Sequence, residues 1–165
     1  MESDRSRAQS GAAPASSTAL ALRPCMLVFG ATGYIGGHLV PRLLREGCTV
    51  RASGRNRRTL EARGWHGAEL VEADALQPAT LGPALQGVDT AYYLVHSMAA
   101  GNRFGALDIE AAQNFAAAAA AAGVRRIVYL GGLIPPDPKS EHLVSRRDTG
   151  VTLRQGSVPV SEIRA

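Results

Sequence analysis

The sequence predicts an α/β fold, a doubly wound, three-layer parallel sheet of about six strands. Two observations carry that prediction. From Pro24 onward, short apolar or β-branched runs alternate with longer helical stretches. Strands and helices in alternation build βαβ units with right-handed crossovers. The first apolar run also ends directly in a glycine-rich turn, Gly30-Ala31-Thr32-Gly33-Tyr34-Ile35-Gly36-Gly37.

Each element has its own warrant. Cys25–Phe29 is wholly apolar and reads as strand one. Tyr34–Glu46 reads as a helix, because Ile35, Leu39 and Leu43 recur four apart on one face and Gly47 supplies a stop. Pro41 inside it is expected to kink the helix or cost a backbone hydrogen bond. Cys48–Ser53 is strand two, Thr59–Arg63 a short helix, and Glu69–Glu72 strand three. Thr80–Leu85 is a further short helix, and Thr90–Val95 is strand four. The alanine-rich stretch Arg103–Ala122 has the strongest helix propensity in the chain, and Gly123 ends it. Arg126–Leu130 is strand five, Ser140–Gln155 a helix, and Val158–Arg164 strand six.

Composition bounds the function. The 165 residues suffice for one domain with a core, and 45% of them are hydrophobic. Residues 1–24 are Ser/Ala-rich and are expected to form a disordered tail ahead of a single domain over 25–165. Leu20–Leu22 is too short for a signal-peptide core, and no segment approaches the roughly 18 apolar residues of a membrane span. A soluble, cytoplasmic protein is expected. Eighteen basic and fourteen acidic residues give a net charge of +4, and aromatics make up only 5%. A nucleic-acid reader would add clustered cations with interleaved aromatics, so no nucleic-acid partner is expected. Cys25 and Cys48 sit in apolar strands and read as buried reduced thiols. With no CxxC or Cys/His cluster, no metal site is expected.

The turn Gly30–Gly37 lies between the first strand and the first helix, where a phosphate-binding turn belongs. One glycine allows the tight turn and another lets the backbone approach a pyrophosphate. Gly36 lets the helix lie close on the strand. The pyrophosphate of a dinucleotide would then face the free N–H groups at the positive end of the helix dipole. An NAD binder places an acid at the end of strand two, on the ribose hydroxyls. Here Thr49–Arg63 holds Arg51, Arg55, Arg57, Arg58 and Arg63, with Glu61 the single acid. A guanidinium suits a 2′-phosphate, which favours NADP over NAD and singles out Arg55, just past the strand. Arg57, Arg58 and Arg63 read as solvated surface charges.

GATGYIGGHLV, the pair Asp74-Ala75, AYYLVHSM and GVRRIVYLGGL together resemble the atypical short-chain dehydrogenase/reductase superfamily. Within it they are similar to NmrA-like and YbjT-like NAD(P)H-binding proteins, a group also described as nucleoside-diphosphate-sugar epimerase-like. The resemblance covers residues 25–165 and implies a Rossmann domain. It implies that Thr32, Gly33, Tyr34 and Ile35, within the Gly30–Gly36 turn, line the pyrophosphate, with Arg55 at the 2′-phosphate. It places Asp74 and Ala75 by the adenine, and Val95 and His96 by the ribose nearer the nicotinamide. Asp74 also reads as a cap for the turn after it, and His96 as a loop histidine satisfied by water.

The superfamily's usual Tyr-x-x-x-Lys pair is absent, because none of Tyr34, Tyr92, Tyr93 and Tyr129 has a lysine four residues on. Gly131-Gly132 stands where a serine is usual. His142 and Arg146 share one helical face at i, i+4. The plainer reading leaves His142 half-exposed and Arg146 paired with Asp148, Glu141 or water. The catalytic residues therefore stay open. An NADP-dependent oxidoreductase in full-length form, acting on an unknown small substrate, is the first reading. The alternatives are a non-catalytic dinucleotide-sensing regulator and a structural nucleotide-binding subunit. Since the chain stops with strand six, it reads as an N-terminal fragment or a truncated product.

Overall fold

The computed structural model describes residues 24–96, 104–135, 138 and 140–165, so the expected tail, apart from Pro24, lies outside the described residues. In chain order the elements are β1 (Cys25–Phe29), α1 (Tyr34–Arg45), β2 (Thr49–Gly54), α2 (Arg57–Glu61) and β3 (Ala68–Glu72). A 3-10 turn at Pro78–Thr80 then runs into α3 (Leu81–Leu85). β4 (Thr90–Tyr93), α4 (Phe104–Ala121), β5 (Arg126–Gly131), α5 (Glu141–Gln155) and β6 (Val160–Arg164) follow. Each expected strand and helix is there, with ends displaced by one or two residues. The displacement at α2 has a clear cause. Asn56 Oδ1 accepts from the Thr59 N–H at 3.1 Å, a side-chain cap that starts the helix at Arg57. Pro41 sits inside α1 without ending it; its cost is the N–H it cannot donate.

The six strands form one sheet in the order β3-β2-β1-β4-β5-β6. Every neighbouring pair is parallel. β1 therefore lies inside the sheet, with Val28 beside Ala52 of β2 and Tyr92 of β4. The chain winds outward from β1 to β3, then crosses back to place β4 on the other side. A sheet wound this way has its ligand crevice outside the carboxyl ends of the strands, where the winding reverses.

Alternate residues of the strands feed two separate cores. Leu27, Phe29, Ala91, Tyr93, Ile127 and Tyr129 face a large core shared with α3, α4 and α5. Val28, Val50 and Ala52 face a smaller one with Val40 of α1 and Leu60 of α2. This is the three-layer arrangement, with the sheet apolar on both faces, as parallel sheets require. The alanines of α4 let that helix approach closely, and Ala112 and Ala119 are fully buried. Phe115 interrupts the run and fills the centre. Its ring lies 4.9 Å from Phe29 and 4.8 Å from Tyr93, centroid to centroid. Tyr93 in turn lies 6.2 Å from Tyr129.

Arg51 shows how the fold disposes of charge inside the layers. Its side chain is mostly buried, and Nη1 donates to the carbonyls of Ala84 and Gln86 at 2.9 and 2.7 Å, closing the end of α3. Its Nε pairs with Glu69 at 2.8 Å. This arginine is structural.

Phe115→Ala is expected to destabilise the domain by about 3–5 kcal/mol, because its two aromatic neighbours cannot close over the vacated volume. Urea unfolding followed by circular dichroism measures it. A loss below about 1 kcal/mol would show that Phe115 is not the keystone of the larger core.

Candidate functional site

Gly30 ends β1 with a φ of +93°, a backbone conformation that disfavours any side chain. Its N–H and that of Ala31 both donate to the Ser53 carbonyl of β2, at 3.1 and 2.9 Å. A Cβ on Gly30 would meet Val95 Cγ1 at 3.0 Å and the Leu94 carbonyl carbon at 3.1 Å. Gly36 is tighter still, since a Cβ there would lie 2.6 Å from both Ala31 Cα and the Gly30 carbonyl oxygen. It lets α1 rest directly on the turn. Gly33 differs from both. It has extended backbone, φ −72° and ψ 176°, and a Cβ would meet only the Gly30 carbonyl oxygen, at an ordinary 3.4 Å. The fold does not need a glycine at position 33.

No side chain caps the start of α1, and its first turn carries no acid. The first intrahelical bond runs from the Gly37 N–H to the Gly33 carbonyl at 2.9 Å. The N–H groups of Tyr34, Ile35 and Gly36 therefore precede the ladder and face outward with the positive end of the helix dipole.

Two clefts of about 220 and 310 Å³ meet over this turn. Both are lined by Gly30, Gly33, Leu94, Val95 and His96, so they form one trough across the carboxyl ends of the strands. One arm runs past Thr32, Gly54 and Arg55 to Asp74. The other runs past Tyr34, Ile35 and Gly36 to Tyr129 and Arg146. Of the expected site residues, only Ala75 lines neither arm. It is buried, and its carbonyl accepts from Asn114 Nδ2 at 2.9 Å.

Arg55 is exposed in the first arm, without a hydrogen bond or ion pair among the described residues. Arg57 pairs with Glu61 at 2.8 Å and donates to the Leu70 carbonyl at 2.6 Å, while its backbone N–H takes up the Glu72 carboxylate at 2.8 Å. Arg63 corrects an expectation. It is not simply solvated, because Nη2 donates to the Thr32 carbonyl inside the glycine turn and the guanidinium lies over the Trp65 ring. It braces the turn from outside. Asp74 Oδ1 accepts from the Leu76 N–H at 3.0 Å, so its capping role is real. Among the described residues it is the one carboxylate that lines the trough.

The other arm holds a second correction. His96 is not a water-satisfied loop residue: its Nδ1 lies 3.1 Å from Asp108 Oδ2 on α4. The same oxygen accepts from Ser145 Oγ of α5 at 2.7 Å. Asp108 is buried to 3% exposure. A carboxylate that has lost water needs such donors, and here it has both. Arg146 is corrected too, since it donates to the Gly131 carbonyl at 3.3 Å, and Asp148 is taken by Arg147. His142 is exposed and lines neither arm of the trough. Tyr129 donates its hydroxyl to the Arg146 carbonyl at 2.9 Å. Burial pushes its phenol up to about 12, against a smaller lowering by Arg146. Burial also raises Tyr93 far out of the physiological range. Neither tyrosine can act as a proton-accepting phenolate near neutral pH.

A model of the NmrA-like family matches residues 24–144, from the start of β1 into α5. The chain belongs to the NmrA-like family. This NmrA-like chain is 33% identical over 141 residues to the (4-alkanoyl-5-oxo-2,5-dihydrofuran-3-yl)methyl phosphate reductase of Streptomyces griseus, covering 84% of the chain and 46% of that protein. It is 33% identical over 120 residues to the mitochondrial NADH-ubiquinone oxidoreductase 40 kDa subunit of Neurospora crassa, covering 69% of the chain and 32% of the subunit. The crystal structure of the Citrobacter sp. triphenylmethane reductase complexed with NADP(H) superposes with a TM-score of 0.73 at 26% identity, over 84% of this chain and 48% of that one. The chain thus spans less than half the length of these relatives. Its fold is that of the NAD(P)-binding reductases.

Asp108 and Ser145 are the site residues that sequence reasoning missed. A signal existed. Asp108 stands at helical spacing from Ala111, Ala112, Phe115 and Ala119, all buried, so an acid occupied the apolar face of α4. Ser145 shares the buried face of α5 with Thr149, Thr152 and Leu153.

Gly36→Ala is expected to destabilise the fold by about 1–3 kcal/mol, since its Cβ would press on backbone that cannot yield. Gly33→Val is expected to fold like the wild type. Denaturant midpoints of the two variants check this, and equal midpoints would refute the asymmetry.

Proposed function

We propose that this chain is the dinucleotide-holding domain of a reductase, and that it prefers NADP(H) to NAD(H). The trough over the glycine turn carries the reading. It offers a pyrophosphate the N–H groups of α1, with space in front of Gly33 that the fold itself does not require. A side chain at position 33 would fill the place of the phosphates. The adenosine end then falls in the arm with Asp74, whose Oδ2 is left to accept from the adenine amino group while Oδ1 caps its own turn. Ala75 contributes its buried backbone behind that end, and Val95 and His96 flank the nicotinamide ribose.

The NADP preference rests on Arg55. It is the cation after β2 that lines the trough without a hydrogen bond or ion pair among the described residues, where an NAD site would place an acid. Glu61 and Glu72, the acids nearest in sequence or by contact to α2, are both engaged by Arg57. A planar guanidinium offers a 2′-phosphate a fork of donors and a permanent charge. When bound, the reduced nicotinamide supplies a hydride. The protein's part is to hold it at the Tyr129 and Arg146 arm of the trough. The likeness to two reductases supports this reading. A second reading, a dinucleotide held for structure or sensing without turnover, draws on the likeness to the 40 kDa subunit and on the missing Tyr-x-x-x-Lys pair.

Two binding experiments test the proposal. Arg55→Asp is expected to weaken NADPH about 10- to 100-fold, as loss of a charge-assisted hydrogen bond implies, and to leave NADH within about threefold. Calorimetry that finds equal affinities for the two dinucleotides in the wild type would defeat the preference. Gly33→Val is expected to abolish binding of both dinucleotides while the circular dichroism spectrum is kept. Normal binding by that variant would remove the glycine turn from the site.

A further inference from the structure

His96 poses a question that dinucleotide binding does not answer. Its Nε2 is buried and has no hydrogen-bond partner among the described residues. The ring lines both arms of the trough at the point where they meet. Its other nitrogen is held. Asp108 Oδ2 can only accept, so Nδ1 must donate, and the neutral ring carries its proton on Nδ1 with a bare lone pair at Nε2. Ser145 Oγ donates to the same oxygen and fixes the carboxylate from α5. Three elements, the loop after β4, α4 and α5, thus converge to orient one imidazole edge. A purely structural tie between the helices would need only Asp108 and Ser145.

We propose that His96 is the proton donor of this site, oriented by Asp108 and Ser145, and that it does the work of the absent tyrosine and lysine. This rests on the reductase reading. A carbonyl carbon that accepts hydride from a reduced nicotinamide dinucleotide leaves its oxygen in need of a proton. The C=O π bond breaks, the new C–H bond forms, and the oxygen takes the proton from Nε2 of the imidazolium. The carbonyl is reduced to an alcohol, the dinucleotide is oxidised, and the neutral ring regains its proton from solvent. Asp108 neutralises the imidazolium while the ring is charged. The other ionisable groups around the ring do not compete. Arg146 of α5 donates to the Gly131 carbonyl, the Tyr129 hydroxyl donates to the Arg146 carbonyl, and burial makes the phenols of Tyr93 and Tyr129 weaker acids than usual.

Two readouts test the role. Ring-nitrogen NMR of the 15N-labelled chain, with His96 assigned by its loss in His96→Gln, is expected to show a proton on Nδ1 and a bare Nε2 in the neutral form. Asp108→Asn should disturb that signature. The second readout is oxidation of NADPH with 9,10-phenanthrenequinone and benzaldehyde as carbonyl probes. At saturating NADPH, His96→Gln should lose about 10²- to 10⁴-fold in reduction rate and lose one limb of the wild-type pH profile. A proton found on Nε2 in the neutral ring overturns the proposal, as does a His96→Gln variant that reduces the probes at the wild-type rate. A wild-type chain that binds NADPH yet reduces neither probe overturns the reductase reading, and this proposal with it.

Discussion

The joint between β1 and α1 is the constraint on which the rest of the structure depends. At Gly30 the backbone must leave the sheet with positive φ while the loop after β4 passes within van der Waals reach. The same few residues tie three strands together. Gly30 and Ala31 donate to Ser53 of β2, and Leu94 donates to the Phe29 carbonyl at 2.9 Å. Gly36 then brings α1 down onto the turn. The close fit that makes Gly30 and Gly36 indispensable to folding is also what draws the loop after β4 over the turn. The trough is a by-product of that closure. Gly33 is the one glycine of the three whose side-chain space opens on the trough instead of on protein.

Charge is distributed along the trough in a way that suits an anionic ligand. The helix dipole and the uncapped N–H groups are at its middle, and Arg55 is at one end. Arg146 stands at the other end, turned toward the Gly131 carbonyl. Three other arginines of this region have structural duties. Arg51 closes α3, Arg57 holds β3 to α2, and Arg63 braces the glycine turn. A sequence rich in arginine hides this division of labour, because all five carry the same charge and only their neighbours tell them apart.

That is also why the fold was more legible in the sequence than the site. A parallel sheet follows from the alternation of apolar runs with helical stretches, and the glycine turn marks where it begins. The element ends that moved did so through local bonds that no periodicity reports, such as the Asn56 cap on α2. Arg55 stood out because it directly follows β2. Arg63 did not, because its bond to Thr32 spans 31 residues of sequence. His96 was found by likeness to a family pattern, whereas its partners Asp108 and Ser145 come from two different helices. Each is a polar residue on an apolar helical face, which marks it as buried without saying what it meets.

Burial of that carboxylate is the strongest physical reason to look for a function in the second arm. Desolvating an ionised group costs several kcal/mol unless donors replace its water, and removing one partner of such a pair typically costs about 3–5 kcal/mol. An apolar residue at position 108, on the buried face of α4, would carry no such cost. The chain instead keeps an acid there, gives it a serine and a histidine as donors, and leaves the far nitrogen of that histidine without a partner among the described residues, at the junction of the two arms. Stability alone does not select this arrangement. A ligand group placed in the trough to complete the hydrogen bond at Nε2 would account for all three residues, because it would give the buried nitrogen a partner.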